Sequence, residues 1–201
     1  MPVTIGLDVG GAHLKVAAVE GGRVRAVAQH VCPLWQGLDR LDAALAAARP
    51  LTSTADRVAV TMTGELSDLF ESRRHGVSVI VERIVAEFGD EVRFWLGRRG
   101  LGSASEAIED HIGAGSTNFL ATASWIGRQP RCATSLLIDF GSTTVDVVPI
   151  AGGRPVPRGL TDRERQGTGE LVYTGLTRTA VMAVADRAPV DGRWVTLARE
   201  Y

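Results

Sequence analysis

The chain has 201 residues, with 22 lysines and arginines against 23 aspartates and glutamates. A formal net charge of -1 leaves no basic field to hold nucleic acid or an anionic membrane, so neither is expected as a partner. A content of 45% hydrophobic and 22% charged residues is that of a chain able to bury a core, which argues against disorder.

No apolar run approaches the ~20 residues of a membrane span, and Met1 to Val9 lacks the basic start and long apolar centre of a secretory signal, so a cytoplasmic protein is expected. Cys32 and Cys132 stand alone among four scattered histidines, which indicates neither a disulfide framework nor a zinc site. Of the 22 cationic residues only Lys15 is a lysine.

Taken in chain order, Ile5 to Arg23 reads as two apolar strands around a tight glycine turn, followed by a Gly-Gly turn into a third strand that runs to His30. Pro33 and Gly37 break the pattern. Leu38 to Arg49 has helical spacing and is expected to stop before Pro50. Arg57 to Thr61 is a β-branched strand, Gly76 to Phe88 carries an apolar helical face, and Val92 to Leu96 is another strand. The order of three hairpin-connected strands, helix, strand, helix and strand is that of an RNase H-like α/β lobe with a mixed sheet. Gly97 to Ser105 reads as a Gly/Ser-rich connector, and Ala114 to Gly127 as a helix capped by Ser116 or Thr117.

An internal repeat follows. Ile5 to Arg23 and Leu136 to Arg154 align at a constant offset of 131, pairing Asp8 with Asp139, Gly10 with Gly141 and Gly21-Gly22-Arg23 with Gly152-Gly153-Arg154. The division is therefore a first lobe over 1–130, with its hairpin at 5–19, and the start of a second over 131–201, with its hairpin at 136–150. Only about 70 residues follow Pro130, so the second lobe is expected to be incomplete and the chain a piece of a longer product.

The residue types of the two turns suit a phosphate. Gly10-Gly11 and Gly141-Ser142 expose backbone N–H groups that can converge on an anion, and the hydroxyls of Ser142, Thr143 and Thr144 add donors. Asp8 and Asp139, at strand ends, can hold Mg²⁺ or its water against a polyphosphate. Lys15 supplies a point charge. Arg158, Arg163, Arg165 and Arg178 are forks suited to phosphate or carboxylate.

Paired phosphate hairpins of this kind resemble the acetate and sugar kinase, Hsp70 and actin superfamily. Within it the strings IGLDVGGAHLK (5–15), TMTGELSDLF (61–70), NFLATASW (118–125), DFGSTTVDVVPI (139–150) and TDRERQGTGELVYTGLTRTAV (161–181) are similar to hydantoinase/oxoprolinase-type proteins linked to tetrahydromethanopterin one-carbon metabolism. In place of the Asn-Thr of that family's first turn, this chain has His13-Leu14. The resemblance implies a transferase of furan-type cofactor biosynthesis, as in methanofuran formation. It would join a furanmethyl diphosphate to the phenol of a tyramine-type amine and release diphosphate. Gly10, Gly11, Lys15, Gly141, Ser142, Thr143, Thr144 and Arg178 would grip the leaving group, with Mg²⁺ on Asp8 and Asp139. Glu65, Asp146 and Glu170 are candidates for the base that takes the phenolic proton. An ATP-dependent kinase or amidohydrolase, with ATP on the same hairpins, is the alternative, and a non-catalytic binding module is a third. A homo-oligomer is left open.

Overall fold

Period-two alternation builds the first strands, because successive side chains of a strand point to opposite faces. β1 (Val3–Val9), β2 (His13–Glu20) and β3 (Arg23–Val31) form an antiparallel meander in the computed structural model. The structure describes residues 1–197 except 142, 178 and 180, and only the backbone of 182 and 183. Gly21 and Gly22 make the second turn at φ of 57° and 75°, a left-handed pair that side chains disfavour. From β3, α1 (Asp39–Thr52) leads to β4 (Arg57–Met62), which lies parallel to β1. After α2 (Arg73–Phe88), β5 (Arg93–Trp95) lies parallel to β4, and β6 (Leu101–Gly102) closes the edge antiparallel to β5. The order β3-β2-β1-β4-β5-β6 is the mixed sheet of an RNase H-like lobe.

Ile5, Leu7, Val9, Leu14 and Val16 bury one face of this sheet in a core shared with Leu41 and Leu45 of α1 and Val77, Ile80 and Ile84 of α2. α1 runs three residues past its predicted stop. Pro50 removes one N–H near the helix end, while Thr52 buries on the face already set by Leu41, Ala44, Leu45 and Ala48, so packing outweighs the lost bond. α2 starts before Gly76 because Ser72 caps it, accepting from the His75 N–H at 3.2 Å. The supposed connector at 97–105 holds β6 and the start of α3 (Ala104–Glu109), which opens on a Ser103–Glu106 capping box. α4 (His111–Ala114) and α5 (Asn118–Gly127) follow, so the helix expected from Ala114 begins four residues later.

The chain divides into two units, Met1–Thr122 and Ala123–Tyr201, and α5 runs across the division. In the second unit β7 (Ser135–Phe140), β8 (Val145–Ala151) and β9 (Arg154–Pro155) repeat the meander, with Gly152 and Gly153 again at φ of 57° and 74°. α6 (Asp162–Thr168) begins on a Thr161–Glu164 capping box, and β10 (Leu171–Val172) pairs with β8. α7 (Val181–Val184) precedes a separate hairpin of β11 (Arg187–Val190) and β12 (Arg193–Thr196). No helix among the described residues is long and apolar enough to cross a membrane.

The two copies of the hairpin pack differently. Ile5, Leu7 and Val9 are 0%, 3% and 0% exposed, whereas their counterparts Leu136, Ile138 and Phe140 are 56%, 50% and 56% exposed. In the second unit β8 buries Val148 and Ile150 instead, and Leu171 of β10 is buried beside it in the sheet. β4 lies on the free edge of β1, but no described strand takes that place beside β7. Ile5→Ala should therefore cost about 2–5 kcal/mol and Leu136→Ala no more than about 0.5 kcal/mol in urea unfolding. Equal losses would show that the second stripe is covered in solution.

Candidate anion site at the first hairpin turn

The β1–β2 turn is built on a bare backbone. A Cβ at Gly10 would lie 2.9 Å from the His13 carbonyl oxygen, and the Gly10 N–H donates to that same oxygen at 3.0 Å. Gly141 repeats the bond, donating to the Thr144 oxygen at 2.8 Å. These two N–H groups, expected from the sequence to face an anion, instead close their turns as the last antiparallel cross-strand bonds before the tip. The carbonyls of Gly11 and Ala12 are also engaged, accepting from Leu34 and Cys32 at 3.0 and 2.8 Å. A Cβ on Gly11 would meet nothing within 4 Å, so the tip of the turn is open. Burial pushes the Cys32 thiol up to about 11, which keeps it protonated and unreactive behind the turn.

Beside the turn, three strands bring three polar side chains together. Asp8 stands opposite Lys15 of β2 and beside Thr61 of β4. Lys15 Nζ donates to Asp8 Oδ2 at 3.0 Å, and Thr61 Oγ1 donates to Asp8 Oδ1 at 3.0 Å. The lysine is thus paired rather than waiting with a bare charge. Its side chain is 59% exposed, and an ion pair so exposed contributes at most about 1 kcal/mol, so an anion can compete for it. From this trio a trough of about 660 Å³ extends over the face of the sheet opposite the core, bounded by Trp95, Val27 and Leu101.

Glu65, expected in a functional loop, is buried in a single turn of 3₁₀ helix after β4. Its Oε1 accepts from Ser116 Oγ at 2.6 Å and lies 3.3 Å from Arg73 Nε, while Arg73 Nη2 donates to the Gly115 oxygen. Gly76 and Gly115 leave room for it, since a Cβ on either would strike Glu65. Neighbouring Gly64 packs on the backbone of Gly10, so the buried cluster braces the turn from behind. Ser116 is committed to Glu65 at a φ of 48°, and Thr117 donates to the Gly113 oxygen, so both predicted caps have other work.

In the second unit Asp139 is exposed and stands opposite Asp146, at the register position that pairs Asp8 with Lys15 in the first. Burial holds the Asp146 carboxyl above the usual aspartate range, and the nearby charges of Asp139 and Asp162 add to this against the pull of Arg165. Arg165 is buried, donating to Asp146 Oδ1 at 2.7 Å and to the Glu170 backbone oxygen at 2.9 Å. It is an internal tie, not the substrate grip its residue type suggested. Glu170 accepts from the N–H groups of Arg158 and Gly159 and from Thr168 Oγ1. Burial pushes its carboxyl up, but these bonds and the Arg165 charge outweigh that and bring it below the glutamate range, which makes it a poor base. Thr143 is exposed and Thr144 half-buried at the second turn, whereas Ser142 and Arg178 lie outside the described residues.

The carboxylates suit a water-rich Mg²⁺, which takes one or two carboxylates together with phosphate oxygens. Asp8 retains lone pairs beyond its two bonds, and Asp139 is exposed. Neither belongs to an all-protein cage: among the described residues no three His, Cys, Asp or Glu side chains gather as ligands.

The fold and the paired turns define an RNase H-like protein with a duplicated glycine hairpin. No family model matches the chain. Over 198 residues, 98% of its length, it is 29% identical to the (4-{4-[2-(gamma-L-glutamylamino)ethyl]phenoxymethyl}furan-2-yl)methanamine synthase of Methanocaldococcus jannaschii. It spans 58% of that relative's length. It is also 33% identical over 66 residues to the protein of the same name from Methanococcus vannielii, covering 33% of this chain and 29% of that one. Among solved structures, the ROK hexokinase of Thermus thermophilus is 18% identical with a TM-score of 0.47, covering 78% of this chain and 48% of that one. The Ppx/GppA family member of Aquifex aeolicus is 13% identical with a TM-score of 0.47, covering 77% and 49%. The strand order, rather than these likenesses, carries the fold assignment.

Because the folded-state pKa of Glu170 is lowered, its contribution to stability is complete above the ordinary glutamate range and is lost as pH falls through the folded value. Glu170→Gln should therefore cost about 1–3 kcal/mol at pH 7, and the gap to the wild type should narrow on acidification. A gap independent of pH would contradict this.

Proposed function

We propose that the chain belongs to a transferase that condenses a furanmethyl diphosphate with the phenol of a tyramine-type amine, in the manner of the synthase it is similar to. The observation that carries this reading is the 29% identity along 98% of the chain. The open turn tip and the displaceable Lys15 are consistent with a diphosphate ligand.

In that reaction the bond between the furanmethyl carbon and the diphosphate oxygen breaks, and the diphosphate leaves with the electron pair. The phenol oxygen bonds to the carbon, and its proton passes to a base. The N–H groups of Gly11 and Ala12 and the Lys15 ammonium would take the charge growing on the leaving group. Ser142, Thr143, Thr144 and Arg178 are proposed to offer further donors in the second unit, Gly141 having spent its N–H on closing the turn. Mg²⁺, with water, would be held by Asp8 in the first unit and, separately, by Asp139 in the second, and would neutralise diphosphate charge. Asp146 is proposed as the base: burial raises its carboxyl in spite of the Arg165 pair, and Arg165 would stay to hold it in place, whereas Glu170 is depressed and Glu65 is fully buried between Arg73 and Ser116.

The test is incubation with furanmethyl diphosphate and tyramine while pyrophosphate release is followed. Acceptor-dependent release is expected, reduced at least about tenfold in Lys15→Ala, as loss of a charged hydrogen bond implies. No release, with acceptor-dependent ATP hydrolysis instead, would favour a kinase or amidohydrolase and overturn the reading.

A further inference from the structure

We propose that the trough over the first sheet is the seat of the ring of an aryl- or furylmethyl diphosphate, with its anionic end at Lys15 and the turn tip. This rests on the reading of that turn as a diphosphate site.

The floor of the trough is flat and apolar. Gly6, Ala17 and Ala59 lie on the neighbouring strands β1, β2 and β4, and all three line the cavity. No side chain there is larger than a methyl group, and neighbouring strands lie about 4.8 Å apart, so the floor is a flat apolar strip about two strand spacings wide. A planar ring covers such a strip without leaving voids. Trp95 forms a fixed wall, because its indole Nε1 donates to the Thr117 oxygen at 3.1 Å. An edge or offset contact with a second ring is the arrangement such an indole favours.

The trough is also polarised along its length. The charged groups on the trough belong to the Asp8–Lys15 pair, at the end where β1 enters the turn. A molecule with one aromatic end and one anionic end therefore has a single orientation: ring on the floor, phosphates toward Lys15. The volume of about 660 Å³ lies within the ~300–1,000 Å³ usual for small-molecule sites. A purine is matched less well, because the strip at Gly6, Ala17 and Ala59 offers its ring nitrogens no side-chain donors or acceptors. The polar side chains of Gln29 and Thr61 stand at the Lys15 end, where the phosphates would lie.

Calorimetric titration of the wild-type chain with inorganic pyrophosphate, benzyl diphosphate and ADP tests the proposal. Benzyl diphosphate is expected to bind at least tenfold more tightly than pyrophosphate, and ADP no more tightly than pyrophosphate. Ala59→Leu and, independently, Ala17→Leu place a branched side chain on the floor and should abolish the preference while leaving pyrophosphate affinity within twofold. Equal binding of benzyl diphosphate and pyrophosphate by the wild type would overturn this inference alone. So would a preference that survives in both folded variants, a preference for ADP, or a dimer through this face that Ala59→Leu dissolves. Absence of pyrophosphate binding by the wild type would overturn the diphosphate reading of the turn as well.

Discussion

The first hairpin turn exists only with a bare backbone at position 10. A Cβ there would collide with the His13 oxygen that the Gly10 N–H needs as its acceptor, so steric room and hydrogen bonding demand the same residue. The closed turn sets the β1–β2 register, which places Asp8 opposite Lys15. Gly64, seated on the Gly10 backbone, ties the turn to the end of β4, and the buried Glu65 beside it is held by Arg73 and Ser116. The shape of the turn tip and the position of the sole lysine both depend on this arrangement.

The second hairpin keeps the backbone and changes the charges. Gly141 closes on Thr144 as Gly10 does on His13, yet an aspartate stands where the first copy has Lys15. Asp139 and Asp146 would repel each other, and the structure answers by burying Arg165 against Asp146. The first copy thus presents a displaceable cation, and the second a carboxylate that gains a proton more readily than an ordinary aspartate. The two copies share a backbone geometry and differ in charge.

Much of the fold was legible because it depends on local rules. Period-two strands and Gly-Gly turns revealed both meanders, and the strand and helix order pointed to the mixed sheet. Where local signals competed with packing the reading failed, as at Pro50, which the buried face of α1 overrides. α3 was missed although Ser103 and Glu106 have capping-box spacing, because the glycines before them suggested a connector. The closing role of the Gly10 N–H could have been inferred from turn geometry, since a two-strand reversal needs an internal bond. Glu65 was less accessible: its burial depends on Gly76 and Gly115, whose closeness only the fold creates. Nor could the pattern alone distinguish Ile5, Leu7 and Val9 from their exposed counterparts, because the same alternation serves a covered and an uncovered face.

The most direct test of the central claim, that the first turn holds a diphosphate, is an amide NMR titration with pyrophosphate. The account predicts saturable shifts largest at Gly11 and Ala12, with loss of the Lys15–Asp8 contact and a reduced response in Lys15→Ala. Shifts absent from these amides, or unchanged by Lys15→Ala, would contradict it.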